Sequence, residues 1–257
     1  MTQSERLLWL IEYLKAESPD YAGLVIPQES SEQFRLYRSL VNVRLPQPVS
    51  DDYLAVEDAF LQEENARKGI TPLGALSPVE DNIYLWQGDI TTLACDAIVN
   101  AANSQMLGCF YPCHACIDNC IHTFAGVRLR LQCATVMKTQ GTPEPTGSAK
   151  LTPAYNLPAK YVLHTVGPIV SGTLTQRDCD LLASCYRSCL SLAAENGLQS
   201  VAFCCISTGE FRFPNEAAAK IAVETVRSFE READAPLQVI FNVFKDKDKR
   251  LYEQLLG

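Results

Sequence analysis

The chain is short of positive charge: 22 lysines and arginines stand against 30 aspartates and glutamates, a net charge of -8. Sequence-independent nucleic-acid binding needs an electropositive surface, so no nucleic-acid partner is expected. The same balance leaves room for an anionic small ligand, because backbone amides at a helix start can hold a diphosphate. No apolar run reaches the length of a membrane span, so no membrane partner is expected. The stretch LLWLIEYL near the N-terminus is short, carries Glu12 and lacks a small-residue cleavage region, which argues against a secretory leader. There is no internal repeat and no low-complexity tract. A reduced, cytoplasmic location is therefore expected, with free rather than paired cysteines.

Cysteine is what the chain has in excess, with 11 in 257 residues. Cys133, Cys179, Cys185, Cys189, Cys204 and Cys205 read as small buried hydrophobes. Another group crowds one stretch: Cys109, Cys113, His114, Cys116 and Cys120. Within it, Cys109, His114 and Cys116 read Cys-x4-His-x-Cys, three donors suited to zinc. Three protein ligands leave the fourth tetrahedral position open, the arrangement of catalytic sites. A closed four-ligand site using the Cys113-x2-Cys116 pair and Cys120 is the alternative. If Asp118 starts a helix, Cys120 falls in its first turn, beside or behind the loop, and the three-donor set is favoured.

Two regimes organise the chain. Residues 1–78 read as a helical extension: Thr2 and Glu5 have capping-box spacing, and Leu7, Leu8, Ile11 and Leu14 share a helical face. Phe34, Tyr37 and Val41, then Tyr53, Val56 and Phe60, mark two further helices, the last ending in Arg67, Lys68 and Gly69. No polar motif stands out in this segment. Over 79–257, the apolar runs NIYLWQ, DAIVNA, YVLHTV, VAFCCI and LQVIFNVF alternate with helical stretches near 118–133, 178–195 and 215–232. A last helix follows Asp246, and the charged run from Lys245 to Arg250 reads as its solvated start. This is an α/β fold whose sheet is covered by helices on both faces.

Two loops follow predicted strands. Gly88-Asp89-Ile90-Thr91 taken alone is a turn-like signal, and Asn103 stands at a strand end, able to donate and accept hydrogen bonds without charge. Ser207, Thr208, Gly209, Glu210 and Phe211 join a strand to a helix, where small residues let backbone amides approach an anion and Phe211 can cover a sugar ring. Glu210, repelled by a diphosphate, is expected to point away from it, toward the metal shell or the ribose. His122 and His164 read as buried, hydrogen-bonded histidines.

Taken in order from about residue 82 to the C-terminus, GDIT, DAIVNAAN, CFYPCHACID, CIHTFAG, GSAKLTPAYNLPAKYVLHTVGP and CISTGEFRFP resemble the macrodomain family of ADP-ribose binders. The resemblance is to its zinc-dependent branch. Where ordinary members have a glycine-rich loop ending in Val-Asp, this chain keeps only Gly108 before the cysteine cluster and ends in Ile117-Asp118. Arg212 stands where the family often has glycine.

The resemblance implies a three-layer α/β/α fold with a mixed central sheet behind the N-terminal helical extension. It implies that Asp89 accepts from the adenine amino group with Ile90 beside the ring, and that Asn103 and Asp118 flank the distal ribose as the catalytic pair. Cys109, His114 and Cys116 would bind zinc. Ser207, Thr208, Gly209, Glu210 and Phe211 would form the second phosphate loop, and Asn242 to Phe244 would bound the adenine pocket. The implied activity is hydrolytic removal of mono-ADP-ribose from a modified protein, at an acidic side chain, by a zinc-dependent hydrolase of the sirtuin-linked type. A bound metal can polarise the scissile-bond oxygen or lower the pKa of water. The partners implied are ADP-ribose and an ADP-ribosylated protein, a lipoyl-carrier protein among the candidates, with the chain a monomer. Two other readings stay open: a non-catalytic ADP-ribose binder and an O-acetyl-ADP-ribose deacetylase.

Overall fold

Three helices begin the chain, α1 (Gln3–Ala16), α2 (Ser30–Val43) and α3 (Asp51–Lys68), in a computed structural model that describes residues 1–232 and 236–257. The capping box starts α1: the Thr2 hydroxyl accepts from the Glu5 amide, and the Glu5 carboxylate accepts from the Thr2 amide at 2.7 Å. Its inward face is Leu7, Leu10, Ile11 and Leu14; Leu8, predicted to share that face, is 38% exposed. Ser50 caps α3, which stops at Gly69, where φ is +87° and a side chain would be strained. Tyr37, Tyr53, Phe60 and Leu61 make a core for these helices, closed by Val127 from the rest of the chain.

Strands and helices then alternate. The strands are β1 (Thr71–Pro72), β2 (Pro78–Glu80), β3 (Ile83–Gln87), β4 (Leu93–Ala94), β5 (Ala97–Ala102), β6 (Ala149–Pro153), β7 (Tyr161–Val166), β8 (Ser200–Phe203) and β9 (Gln238–Val243). The helices are α4 (Ile117–Ala125), α5 (Val127–Gln140), α6 (Gln176–Glu195), α7 (Asn215–Glu232) and α8 (Asp246–Leu256). β1 and β4 pair with each other, and the other seven strands form one sheet in the order β2-β3-β9-β8-β5-β7-β6. Its five central strands run parallel and the two edge strands antiparallel, so the sheet is mixed. Helices α6, α7 and α8 pack side by side, and α4 packs against α5, α2 and α3. The result is the three-layer α/β/α arrangement. Burial on both faces explains the nearly unbroken apolar strands, in which Val162 to Val166 of β7 are all buried. Among the described residues no helix is long and apolar enough to cross a membrane.

Several sequence expectations are corrected. The helix predicted near 118–133 is two helices, broken at Gly126, where φ is +91° and the chain is extended. β6 escaped notice because, as an antiparallel edge strand carrying Lys150 and ending at Pro153, it lacks the continuous apolar run. β8 stops at Phe203, so Cys204, Cys205 and Ile206 lie in the loop after it. Cys179 and Cys205 are only half-buried. The start of α8 is not wholly solvated: Asp248 is buried and accepts from Asn215 Nδ2 at 2.7 Å.

Polar groups make the seam between the extension and the sheet domain. Glu57 of α3 is fully buried and accepts from Tyr37 Oη at 2.9 Å, Tyr53 Oη at 3.1 Å and the Val127 amide at 2.9 Å. Asn65 donates to the Phe124 and Asn156 carbonyls, and Asp58 pairs with both Arg128 and Asn156. Burial raises the Glu57 carboxyl, although the Val127 amide and the two tyrosines pull it the other way. Removing it leaves three buried donors, each costing about 1–3 kcal/mol. Glu57→Ala should therefore lower unfolding free energy by roughly 3 kcal/mol or more in urea titration. The raised carboxyl also sets a sign: its stability contribution is full below the ordinary glutamate range and is lost as pH rises through the raised value. Wild-type stability should fall more steeply than that of Glu57→Gln as pH rises above the ordinary glutamate range, and parallel curves would contradict the assignment.

Candidate active site and metal centre

Because β3, β9, β8 and β5 run parallel, their carboxyl ends share one edge of the sheet. From that edge emerge Asp89 and Ile90 after β3, Phe244 after β9, Ser207 to Phe211 after β8 and Asn103 after β5. Ligands of open α/β sheets bind at such an edge. Residues spread over about 150 positions are thus gathered by topology alone.

The loop from Asn103 to Cys116 carries the cysteine cluster. Cys109 Sγ lies 3.7 Å from His114 Nδ1, and one donor atom from each of Cys109, His114 and Cys116 falls within 4.8 Å of the others. Cys113 and Cys120 stand apart. The Cys113 thiol donates to the Arg35 carbonyl at 3.4 Å, and Cys120 Sγ accepts from Arg38 at 3.6 Å, so both turn toward α2. The closed four-ligand alternative is not assembled. Cys116 also caps α4, its sulfur accepting from the Asn119 amide at 3.4 Å. Burial pushes the Cys116 thiol up to about 12, and the neighbouring Cys109 adds to that. Two thiolates side by side repel, and a cation between them removes the repulsion. Two sulfurs and an imidazole are a donor set that fits zinc.

Behind this loop, Asp118 sits in the first turn of α4 with its carboxylate buried. Asn100 Nδ2 donates to its Oδ1 at 2.7 Å, and His122 Nε2 lies 3.6 Å from the same oxygen. Burial raises the Asp118 carboxyl to about 6, against the Asn100 bond and the nearby Arg130 charge. It is ionised at neutral pH, yet more basic than an ordinary aspartate. His164 is the buried, hydrogen-bonded histidine expected, 2.9 Å from Thr152 Oγ1 and 3.1 Å from Asn100 Nδ2. His122 is buried without a hydrogen-bond partner on either ring nitrogen, which corrects the expectation for it. His122, Cys133 and His164 also bring donor atoms within 4.8 Å of one another. There, however, the positive Arg130 bears on both His122 and Cys133, opposing a second cation.

Asn103 holds the turn, its Nδ2 donating to the Gly108 carbonyl at 3.1 Å and its Oδ1 accepting from the Gln105 amide at 3.0 Å. Across the edge, Glu210 is 74% exposed and its Oε1 lies 3.6 Å from His114 Nε2, on the side of the donor cluster. Ser207 and Arg212 both have positive φ, +65° and +56°. Arg212 thus keeps the left-handed backbone of a glycine position. The Ser207 hydroxyl is buried and without a protein partner, a polar atom available to a ligand. Thr208 bonds back to the Cys205 carbonyl, Gly209 has open space before it, and the Phe211 carbonyl accepts from the Val170 amide.

At the other end of the edge, Asp89 Oδ1 accepts from the Thr91 amide and hydroxyl, and its Oδ2 lies 2.7 Å from Lys68 Nζ of α3. Burial would raise this carboxyl, but Lys68 and Thr91 outweigh it and hold it below the usual range. Ile90 is buried beside it, while Phe244 is 75% exposed.

A model of the Macro domain matches residues 99–222. A protein-ADP-ribose hydrolase of Treponema medium is 59% identical over 261 residues and covers the whole of both chains. The chain belongs to the macro domain family. A protein-ADP-ribose hydrolase of Staphylococcus aureus (strain MSSA476) is 53% identical over 251 residues, 97% of this chain and 94% of the relative. Among solved structures, a Trypanosoma brucei macrodomain in complex with ADP-ribose superposes with a TM-score of 0.67 at 34% identity, covering 86% of this chain and 95% of that one.

Two glycines of this macro domain are dictated by contact. A Cβ at Gly108, where φ is +84°, would meet the His122 ring at 2.9 Å, and one at Gly167 would lie 2.0 Å from Ser207 Oγ. Asn100 went unremarked in the sequence although a polar residue inside the run DAIVNA is itself a signal. Lys68 read only as a basic residue at a helix end, and Arg38 and Asn42 left no signal beyond being polar residues of a helical segment. Gly167→Ala should displace the Ser207 loop and cost about 1–3 kcal/mol. Adding Ser207→Ala should restore part of that in thermal unfolding, and strictly additive losses would show that the two do not meet.

Proposed function

We propose that this macro domain hydrolyses the bond between mono-ADP-ribose and a modified acidic side chain of a protein, with zinc as its cofactor. The support is convergence: three donors lie within 4.8 Å of one another, Cys116 among them caps the helix whose first turn carries the buried Asp118, and His114 faces Glu210. The named relatives, protein-ADP-ribose hydrolases of Treponema medium and Staphylococcus aureus, make the same activity the natural one here.

Residues along the edge divide the work. Asp89 and Ile90 receive the adenine, with Phe244 free to move over it. Backbone amides from Ser207 to Phe211 and the buried Ser207 hydroxyl receive the diphosphate ahead of α7, whose N-terminus favours negative charge. Phe211 lies against the ribose. This binding, remote from the reacting bond, positions the distal ribose between Asn103 and Asp118. Asp118, held by Asn100 in one orientation, accepts a proton from the attacking water. The water's hydroxyl and its proton finish on the two fragments, leaving free ADP-ribose and an unmodified carboxylate. Bound by Cys109, His114 and Cys116, zinc would supply Lewis acidity at its open fourth position.

The decisive measurement is release of ADP-ribose from an acid-linked mono-ADP-ribosylated protein, with metal content followed in parallel. Cys109→Ala, His114→Ala and Cys116→Ala should each abolish release in a folded protein. Asp118→Asn should lower the rate by about 100-fold or more while the ADP-ribose affinity in calorimetry stays within a few-fold. Asp89→Ala should do the reverse, weakening affinity. Full turnover in metal-free protein would remove zinc from the proposal, and ADP-ribose binding with no turnover under any condition would leave a binder rather than a hydrolase.

A further inference from the structure

The loop bearing the three donors has little structure of its own. Its internal backbone bonds are Met106 to Asn103 and His114 to Tyr111, and Met106, Gly108 and Cys113 adopt positive φ. Several of its other polar backbone atoms are held by side chains outside the loop, two of them directly by α2. Arg38 Nη2 donates to the His114 carbonyl at 2.7 Å and to Asn119 Oδ1 at 2.8 Å. Asn119, so oriented, turns its Nδ2 to the carbonyls of Cys109 at 3.3 Å and Tyr111 at 3.0 Å. Asn42, 1% exposed, accepts from the Cys113 amide at 2.9 Å and donates to Thr123 at 3.0 Å. Arg130 closes the set, joining the Leu107 carbonyl to those of Val41 and Arg44 at the end of α2.

We infer that α2 is part of the metal-binding apparatus, with Arg38 a positioning residue that shapes the loop so that Cys109, His114 and Cys116 converge. The inference rests on the zinc reading above and deepens it: the helical extension has a role in the site. Two of the three donors, Cys109 and His114, have their own carbonyls gripped through the Arg38–Asn119 pair. Cys116, the third, begins the helix from which Asn119 projects. A guanidinium reaches two acceptors in fixed planar directions, and a lysine ammonium cannot reproduce that fork. A loop released from this grip loses entropy when the metal binds, and groups behind metal ligands typically govern affinity by about 10–100-fold. Coupling also runs backward, so the metal must stabilise the extension's grip on the loop by the same amount.

The test uses the full chain and zinc itself. Zinc affinity, read by competition with a chromogenic chelator, should fall about 10–100-fold in Arg38→Ala and only partly recover in Arg38→Lys. Asn42→Ala should weaken zinc in the same direction. ADP-ribose affinity of the metal-free proteins should match wild type, which a general folding defect would not allow. Excess zinc should restore Arg38→Ala turnover, and zinc should raise the melting temperature less in Arg38→Ala than in wild type. If wild type takes up no zinc, the metal reading itself fails and this inference with it. If wild type binds zinc and both Arg38 variants bind it equally tightly, the inference alone is overturned.

Discussion

A carboxylate with no access to water governs how the two parts of this chain meet. Glu57 carries its oxygens into the seam between the helical extension and the sheet domain, where an unpaired charge would cost several kcal/mol. It is satisfied only if Tyr37 of α2, Tyr53 of α3 and the Val127 amide all arrive together. That requirement breaks the helix at Gly126, since Val127 can offer its amide to Glu57 only where the helical bonding stops. The break ends α4 after about two and a half turns. The placement of Asp118 and of the donor Cys116 depends on where α4 begins and how it is held.

From α4 the dependence runs outward. Its first residues carry Asp118, its cap is Cys116, and Asn119 reaches back to the loop. The other face of the site is carried by an independent element, the turn after β8, and meets the first through Glu210 and His114. Cysteines and a histidine fill the loop here, and part of its backbone is held by Arg38 and Asn42, which lie outside the matched 99–222 region.

Much of this was legible. The strand runs YVLHTV and DAIVNA, the capping box at Thr2 and the helix from Asn215 follow from periodicity and local chemistry, which act over a few residues. The expected helix start at Asp118 and the family resemblance favoured Cys109, His114 and Cys116, and donor atoms of these three converge in the folded loop. What stayed hidden has one physical character. Glu57, Asn42 and Arg38 are polar residues on helices, ordinary in sequence, whose partners lie about 20 to 80 positions away. The helix across 118–133 looked continuous because one glycine is a weak signal against a long amphipathic pattern.

By itself, the sequence determined the alternation of strands and helices, the excess of acidic over basic residues and the chemical identity of the donor cluster. Each of these is a property of neighbouring residues or of composition, and needs no knowledge of the fold. Tertiary structure decided which sulfurs face one another, because Cys113 and Cys120 are drawn away by Arg35 and Arg38 of α2. It also decided that Asp118 is buried against Asn100, and that Arg38 of the extension bonds to the donor loop. Hydrogen bonds between distant segments have no signature in either segment alone, which is why only the assembled chain shows them.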